Sequence, residues 1–186
     1  MNKIIVAITG ASGVIYGIRL AEELVKAEKE VYLVVSDAAK TVIDYEAKDK
    51  FNKLPKNIKV YSEKQIDAPI ASSSFGSDAT IICPCSMKTL ASIAVGYADS
   101  LITRTADVAI KEKKKLIIVP RELPFSEIHL ENMLKLSRIS NVFILPACPG
   151  FYHNPRSIDD IVNFMVGKIM DNLGIENNLY KHWNGE

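Results

Sequence analysis

The chain has 186 residues, 48% hydrophobic and 24% charged, which is the size and make-up of one globular domain with a sizeable core. Its 23 basic and 22 acidic residues leave a net charge of +1, and so no electrostatic footprint of a nucleic-acid partner. No apolar run approaches the roughly 20 residues that span a bilayer, so no membrane association is expected.

The opening MNKIIVAITG reads as a buried first strand, KIIVAI (3–8), ending in a glycine turn rather than as a signal peptide. The turn, TGASGVIYG (9–17), leads into a helical pattern over 13–27, where Val14, Ile18, Ala21, Leu24 and Val25 share one face. Next come a strand, VYLVVS (31–36), and a helix over 37–47. The polar segment 48–78, with Pro55 and Pro69, breaks the rhythm and holds one short strand-like piece, IKVYS (58–62). Beyond it lie the strand ATIICP (79–84), helices over 87–95 and 99–112, the strand KLIIVP (115–120), a helix over 127–139, the strand NVFILP (141–146) and a helix over 157–173. The run KEKKK (111–115) reads as a solvated helix end. An irregular tail, about 174–186, is expected to dock through Tyr180 and Trp183.

The strands are continuously apolar and β-branched, as for strands buried on both faces of a parallel sheet. Their alternation with helices predicts a three-layer, doubly wound α/β fold, Rossmann-like or flavodoxin-like, with a mostly parallel sheet and a single domain over 1–186. The cysteines Cys83, Cys85 and Cys148 have neither disulfide nor zinc spacing, and His129, His153 and His182 are scattered. Reduced thiols, a cytoplasmic location and no metal are expected.

Ligands of open α/β sheets bind beyond the carboxyl ends of the strands. Those ends carry Gly10-Ala11-Ser12-Gly13, then Ser36 and Asp37, then CPCSMKT (83–89), then Arg121-Glu122, then PACPGFYHNPR (146–156). Ser86 and Thr89 stand at a helix start, where free N–H groups and the dipole favour a phosphate; an ordinary N-cap explains the serine equally. The small residues after the first strand suit either a ligand or a tight turn. Arg121 between Pro120 and Pro124 offers a bidentate phosphate clamp or a structural ion pair with Glu122. The glycines at 10, 13 and 17 miss the dinucleotide spacing, and Asp37 reads as a helix opener, which argues against NAD.

Together these residues resemble the flavin prenyltransferases, the UbiX-like family. The likeness runs from residue 3 to about 183 through TGASGVIYGIRL (9–20), CPCSMKTLASIAVGYADSLITRTADVAIKE (83–112), VPRELPFSEIHLENMLKLS (119–137) and LPACPGFYHNPRSIDDIV (145–162). The resemblance implies transfer of a dimethylallyl group from dimethylallyl monophosphate to N5 and then C6 of reduced FMN. The product, prenylated FMN, would serve a UbiD-type decarboxylase. It further implies independence of metals and a homo-oligomer, typically a dodecamer with sites between subunits. Gly10, Ala11, Ser12, Ser36, Ser86, Met87, Lys88, Thr89, Arg104 and Arg121 would hold FMN. Tyr152, Lys168, Arg121 and Lys111 would bind the prenyl phosphate and steady the leaving group. Glu46 and Glu122 would complete the charged pocket, Glu46 moving a proton and Ser12 relaying one at the flavin edge. Several of these residues are far apart in sequence, so some are expected to act across a subunit boundary.

One departure is Ser73, where the family commonly has glycine in Ala-Ser-Gly-Ser, a change that restricts the backbone. The alternatives are an FMN-dependent cysteine decarboxylase of the phosphopantothenoylcysteine type and a non-catalytic FMN-binding module. The first usually carries a PASANT-like stretch in place of residues 83–89 and a catalytic histidine near Asp67-Ala68-Pro69, where none stands here. The second would not need Glu46, Arg121, Glu122, Tyr152 and Lys168.

Overall fold

The architecture is that of a computed structural model, which describes residues 1–183. In chain order the elements are β1 (Lys3–Ile8), α1 (Val14–Lys26), β2 (Glu30–Val35), α2 (Asp37–Glu46), α3 (Lys48–Asn52), β3 (Lys59–Ser62), β4 (Ala79–Cys85), α4 (Met87–Val95), α5 (Leu101–Lys111), β5 (Lys115–Pro120), α6 (Glu127–Ser137), β6 (Val142–Ile144) and α7 (Ile158–Leu173). The strands form one parallel sheet in the order β3-β2-β1-β4-β5-β6. The chain winds outward one way from β1 and the other way from β4, so the topological switch point lies between these neighbours.

Alternation along the strands feeds two cores. Ile4, Val6 and Ile8 of β1 face Val14, Ile18 and Leu24 of α1 and Val166 and Ile169 of α7. Ile5 and Ala7 face the other way, toward Leu90 of α4 and Leu101 and Ala106 of α5. Each fully buried Ile or Leu contributes about 1.5–3 kcal/mol, and this two-sided burial is why the strands read as unbroken apolar runs.

Serines start most of the helices. Ser36, Ser86, Ser100, Ser126 and Ser157 each accept a bond from a backbone N–H in the first turn, worth about 1 kcal/mol apiece. The exceptions are α1, whose cap is Gly13 at φ 91, a left-handed conformation that suits glycine, and the short α3, which follows Ala47 without a side-chain cap.

Three expectations need adjustment. The last strand covers only Val142–Ile144 rather than 141–146. Pro146 has no N–H to continue the ladder, although Leu145 N and Ala147 N still reach Ile118 O and Pro120 O at 2.9 and 3.1 Å. The irregular segment contains α3 and two 3₁₀ turns, Pro69–Ala71 and Ser73–Phe75, besides β3 at the sheet edge. Ser73 sits outside the positive-φ region, so this turn makes no use of the freedom a glycine would bring. The KEKKK run is exposed from Lys111 to Lys114, as expected of a helix end. In the tail Tyr180 is buried and Trp183 exposed; residues 184–186 lie outside the described residues.

Candidate active site

The strand ends on either side of the switch point are tied by Thr9. Its hydroxyl donates to Pro84 O (2.8 Å) and accepts from Ser86 N (2.7 Å), and the residue is 1% exposed. Ser86 thus enters α4 in a defined position. Its Oγ accepts from Thr89 N (3.4 Å) and donates to Thr89 Oγ1 (3.2 Å). That spends one of the first N–H groups of α4 and leaves those of Met87 and Lys88 as donors at the positive end of the dipole.

The glycine loop is pressed between its neighbours. A Cβ on Gly10 would lie 2.5 Å from Ala38 Cβ. Ala11 is buried and Ser12 exposed, so the loop presents the serine outward. Gly13 N donates to Glu46 Oε2 at 2.8 Å, which brings the last residue of α2 to the mouth of the loop. Ser36 caps α2 through Ala39 N (3.0 Å) while its own N–H reaches Ile8 O (3.1 Å). Asp37 is drawn outward by Lys40 and Lys64 at 2.9 and 2.6 Å, and hydrogen bonds from these lysines lower its pKa to about 2. It is a surface ion-pair partner, in agreement with the reading against NAD.

Arg121 follows β5, with its backbone N–H on Cys85 O at 3.2 Å. Its side-chain Nε is buried without a hydrogen-bond partner among the described residues. Such an orphan donor on a permanent cation suits an anion. No ion pair joins it to Glu122 among the described residues, whose Oε1 accepts from Leu123 N at 3.0 Å. An orphan guanidinium donor, free helix-start amides and a loop without room for a Cβ together fit a phosphorylated mononucleotide.

Tyr152 and Lys168 meet at the edge beyond β6. Hydrogen bonding to Tyr180 first, opposed by burial and aided by Tyr152, raises the Lys168 pKa. A cavity of about 670 Å³ opens here, lined by Leu145, Pro146, Cys148, Gly150, Phe164 and Lys168. Burial pushes the Cys83 and Cys85 thiols far up, which removes them as nucleophiles.

Two expected residues stand elsewhere within one chain. Arg104 is in the first turns of α5, but its guanidinium is spent on Ala71 O (3.1 Å) and Asp107 Oδ2 (3.0 Å), bracing the 3₁₀ segment. Lys111 ends α5 just before β5 begins, at the opposite edge of the sheet from Arg121. Three residues join the site that sequence reasoning did not assign to it. Thr9 looked like part of a turn, and only the adjacency of β1 and β4 reveals its bridging role. Tyr16 covers Gly13, where a Cβ would lie 2.9 Å from the ring. Burial first, then Cys83, Cys148 and Glu46, raises its pKa. Trp183 rests edge-on to Tyr152, centroids 5.9 Å apart. Nothing in the sequence singled out Tyr16, and Trp183 was expected to dock the tail without a stated partner.

Fold and site define a flavoprotein of the doubly wound α/β class, and the family model described as Flavoprotein matches residues 1–170. A flavin prenyltransferase UbiX of Methanocaldococcus jannaschii is 50% identical over 182 residues, covering 97% of this chain and 98% of that one. The chain belongs to the UbiX flavin prenyltransferase family. Among solved structures, AnUbiX (PadA1) in complex with FMN and dimethylallyl pyrophosphate superposes with a TM-score of 0.95 at 40% identity, over 100% of this chain and 98% of that one. A dodecameric FMN-dependent UbiX-like decarboxylase from Escherichia coli O157:H7 gives 0.91 at 44% identity, over 98% and 100%.

Proposed function

We propose that the protein is a flavin prenyltransferase: it joins the dimethylallyl group of dimethylallyl monophosphate to reduced FMN, and the prenylated FMN passes to a UbiD-type decarboxylase. The observation that carries this reading is the buried Nε of Arg121 after β5, without a hydrogen-bond partner among the described residues, in a chain that belongs to the UbiX family.

Reduced FMN supplies an electron-rich ring that takes up the allyl group. The N–H groups of Met87 and Lys88, with the Ser86 and Thr89 hydroxyls, hold its phosphate. Gly10, Ala11, Ser12 and Ser36 line the adjoining strand ends, and Arg104 closes that side through the 3₁₀ segment. Arg121, Lys168 and Tyr152 bind the prenyl phosphate and stabilise the charge that grows on it as the allylic C–O bond breaks. Glu46 is anchored on Gly13 N through Oε2, which leaves Oε1 to exchange a proton beside Ser12. Glu122 balances the cations. No Ser-His-Asp set is required, because the chain need only orient the reactants, exclude water and move protons.

Lys111 acts from a neighbouring subunit. In support, Leu123, Ile128, Leu130 and Leu134 in and before α6 are 88%, 66%, 54% and 53% exposed, an apolar surface suited to copies of the chain. A dodecamer like that of the Escherichia coli relative is the expected assembly. The reaction takes place in the cytoplasm, in keeping with three free cysteines; no described helix is long and apolar enough to cross a membrane.

The test is anaerobic incubation with reduced FMN and either dimethylallyl monophosphate or the diphosphate, read by mass spectrometry. The adduct is expected with the monophosphate. Unmodified FMN after many turnover times with both donors would falsify the reading.

A further inference from the structure

Beyond α7 the chain folds back on the helix that carries Lys168. The return path is specific. Asn177 Nδ2 donates to Asp171 Oδ1 at 2.8 Å, and Leu179 N donates to Asn177 Oδ1 at 3.3 Å. The Tyr180 hydroxyl donates to the other oxygen of the same carboxylate, Asp171 Oδ2, at 2.5 Å. Tyr180 is 8% exposed, and its ring lies so close to α7 that a Cβ on Gly167 would stand 2.5 Å from Tyr180 Cδ1. Lys168, next to that glycine, carries its Nζ over two rings, 5.0 Å from the centroid of Tyr180 and 5.6 Å from that of Phe164. The two rings pack edge-on with centroids 5.0 Å apart, so they form one aromatic shelf under the ammonium.

This arrangement does more than anchor a tail. A lysine side chain has four rotatable bonds and about 2 kcal/mol of rotamer entropy to lose when it orders. A shelf of two π faces and a hydroxyl whose proton is committed to Asp171 restricts that freedom before a ligand arrives. With its proton committed to Asp171, the phenol oxygen can act toward a donor such as the ammonium only as an acceptor. Hydrogen bonding to Tyr180 is the largest influence raising the Lys168 pKa, so the shelf also favours the charged form.

We infer that Tyr180, oriented by Asp171 and admitted by Gly167, is a positioning residue that preorganises Lys168 for the phosphate of the prenyl donor. The inference rests on the proposal that Lys168 binds that phosphate. Tyr180 touches no reacting atom; it acts through Lys168 by lowering the ordering cost at binding.

The experiment is a double-mutant cycle on Tyr180→Phe and Lys168→Ala. Phenylalanine keeps the ring over Gly167 and removes only the hydroxyl. Two readouts are taken: the Kd of dimethylallyl monophosphate for protein loaded with oxidised FMN, by calorimetry without turnover, and KM against kcat under anaerobic turnover. Tyr180→Phe is expected to raise both Kd and KM about tenfold, the size of one lost hydrogen bond to a charged group. It should leave kcat and FMN affinity unchanged. In a Lys168→Ala background it should add nothing further. Asp171→Asn should reproduce part of the effect.

Wild-type Kd and KM for Tyr180→Phe, beside a raised Kd for Lys168→Ala, would overturn the positioning role while leaving the assignment of Lys168 intact. Equal losses from Tyr180→Phe with and without Lys168 would assign Tyr180 a purely structural role and likewise overturn it. An unchanged Kd for Lys168→Ala would overturn the phosphate-binding role of Lys168 and this inference with it.

Discussion

Thr9 and Glu46 connect parts of the site that no single segment contains. The Thr9 hydroxyl is both donor and acceptor at the switch point. Thr9→Val keeps the shape and deprives Pro84 O and Ser86 N of that partner. Stability is expected to fall by about 1–3 kcal/mol, the cost of unsatisfied buried polar groups. Urea unfolding should show a lower midpoint at unchanged m. Because Ser86 opens α4, FMN affinity should weaken as well, measured by fluorescence titration. Glu46→Gln is different in kind. The amide oxygen can still accept from Gly13 N, so FMN should stay bound, while proton exchange is lost and transfer slows by about 10²–10⁴-fold. An unchanged single-turnover rate would remove Glu46 from proton transfer. Glu46 and Arg121 were legible in the sequence through the family resemblance. Thr9 was not, because a threonine after a strand becomes informative only when the partner strand is known.

At the scale of elements, alternating apolar strands and amphipathic helices made the layers legible, since each buried face must repeat along its own segment. Boundaries that depend on another segment were not legible. The early end of β6 follows from Pro146 on an edge strand, and α3 is five residues with no buried member, too short and too polar to show a period. The third glycine of TGASGVIYG belongs to this scale. A Cβ on Gly17 would stand 2.2 Å from Cys83 O and 2.8 Å from Ile8 Cγ1, so α1 approaches the sheet where only hydrogen fits. Gly17→Ala must push α1 outward and is expected to cost about 1–3 kcal/mol through overpacking, seen as a lower Tm and, because the loop rides on α1, weaker FMN binding. The opposite edge of the sheet has its own clasp. Asp78 Oδ2 accepts from Asn2 N and Lys3 N at 2.6 and 3.0 Å, and these bonds, Asn2 first, hold its pKa below the usual value. A lowered folded pKa means that the stabilisation is present above the unfolded value of about 3.9 and is lost as the pH falls through the folded one. Asp78→Asn should therefore cost about 1 kcal/mol near neutral pH, given screening at this half-exposed position. The gap between the two proteins in denaturant titrations should close in acid. A gap that persisted below pH 3 would mean that packing, not charge, sets the difference.

For the molecule as a whole, the edge formed by the strand carboxyl ends gathers Glu46, Ser86, Arg121 and Tyr152, whereas Lys111 stands at the other edge of the same sheet. A side chain cannot cross the sheet's length, so its proposed part in the reaction demands a second copy of the chain. The exposed leucines around α6 supply a surface for one. Chemistry shared between subunits makes a quantitative prediction. Lys111→Ala and Arg121→Ala should each assemble, since Lys111 is exposed and the Arg121 Nε has no hydrogen-bond partner among the described residues to lose. Each alone should transfer prenyl groups poorly. If each site takes its arginine from one chain and its lysine from another, random mixing leaves about a quarter of the sites with both native residues, as heterologous contacts in a closed assembly require. Dissociating the two variants together in mild denaturant and reassembling them should restore about that fraction of native activity, with the oligomer size checked by light scattering. No recovery in a properly reassembled mixture of the two inactive variants would place both residues in one chain's site. Lys111→Ala with native activity on its own would remove Lys111 from the chemistry, and the mixture would then keep about half of the native activity. Recovery close to a quarter would mean that the catalytic unit is the contact between chains, and that the charges absent from the edge of one protomer are supplied by the next.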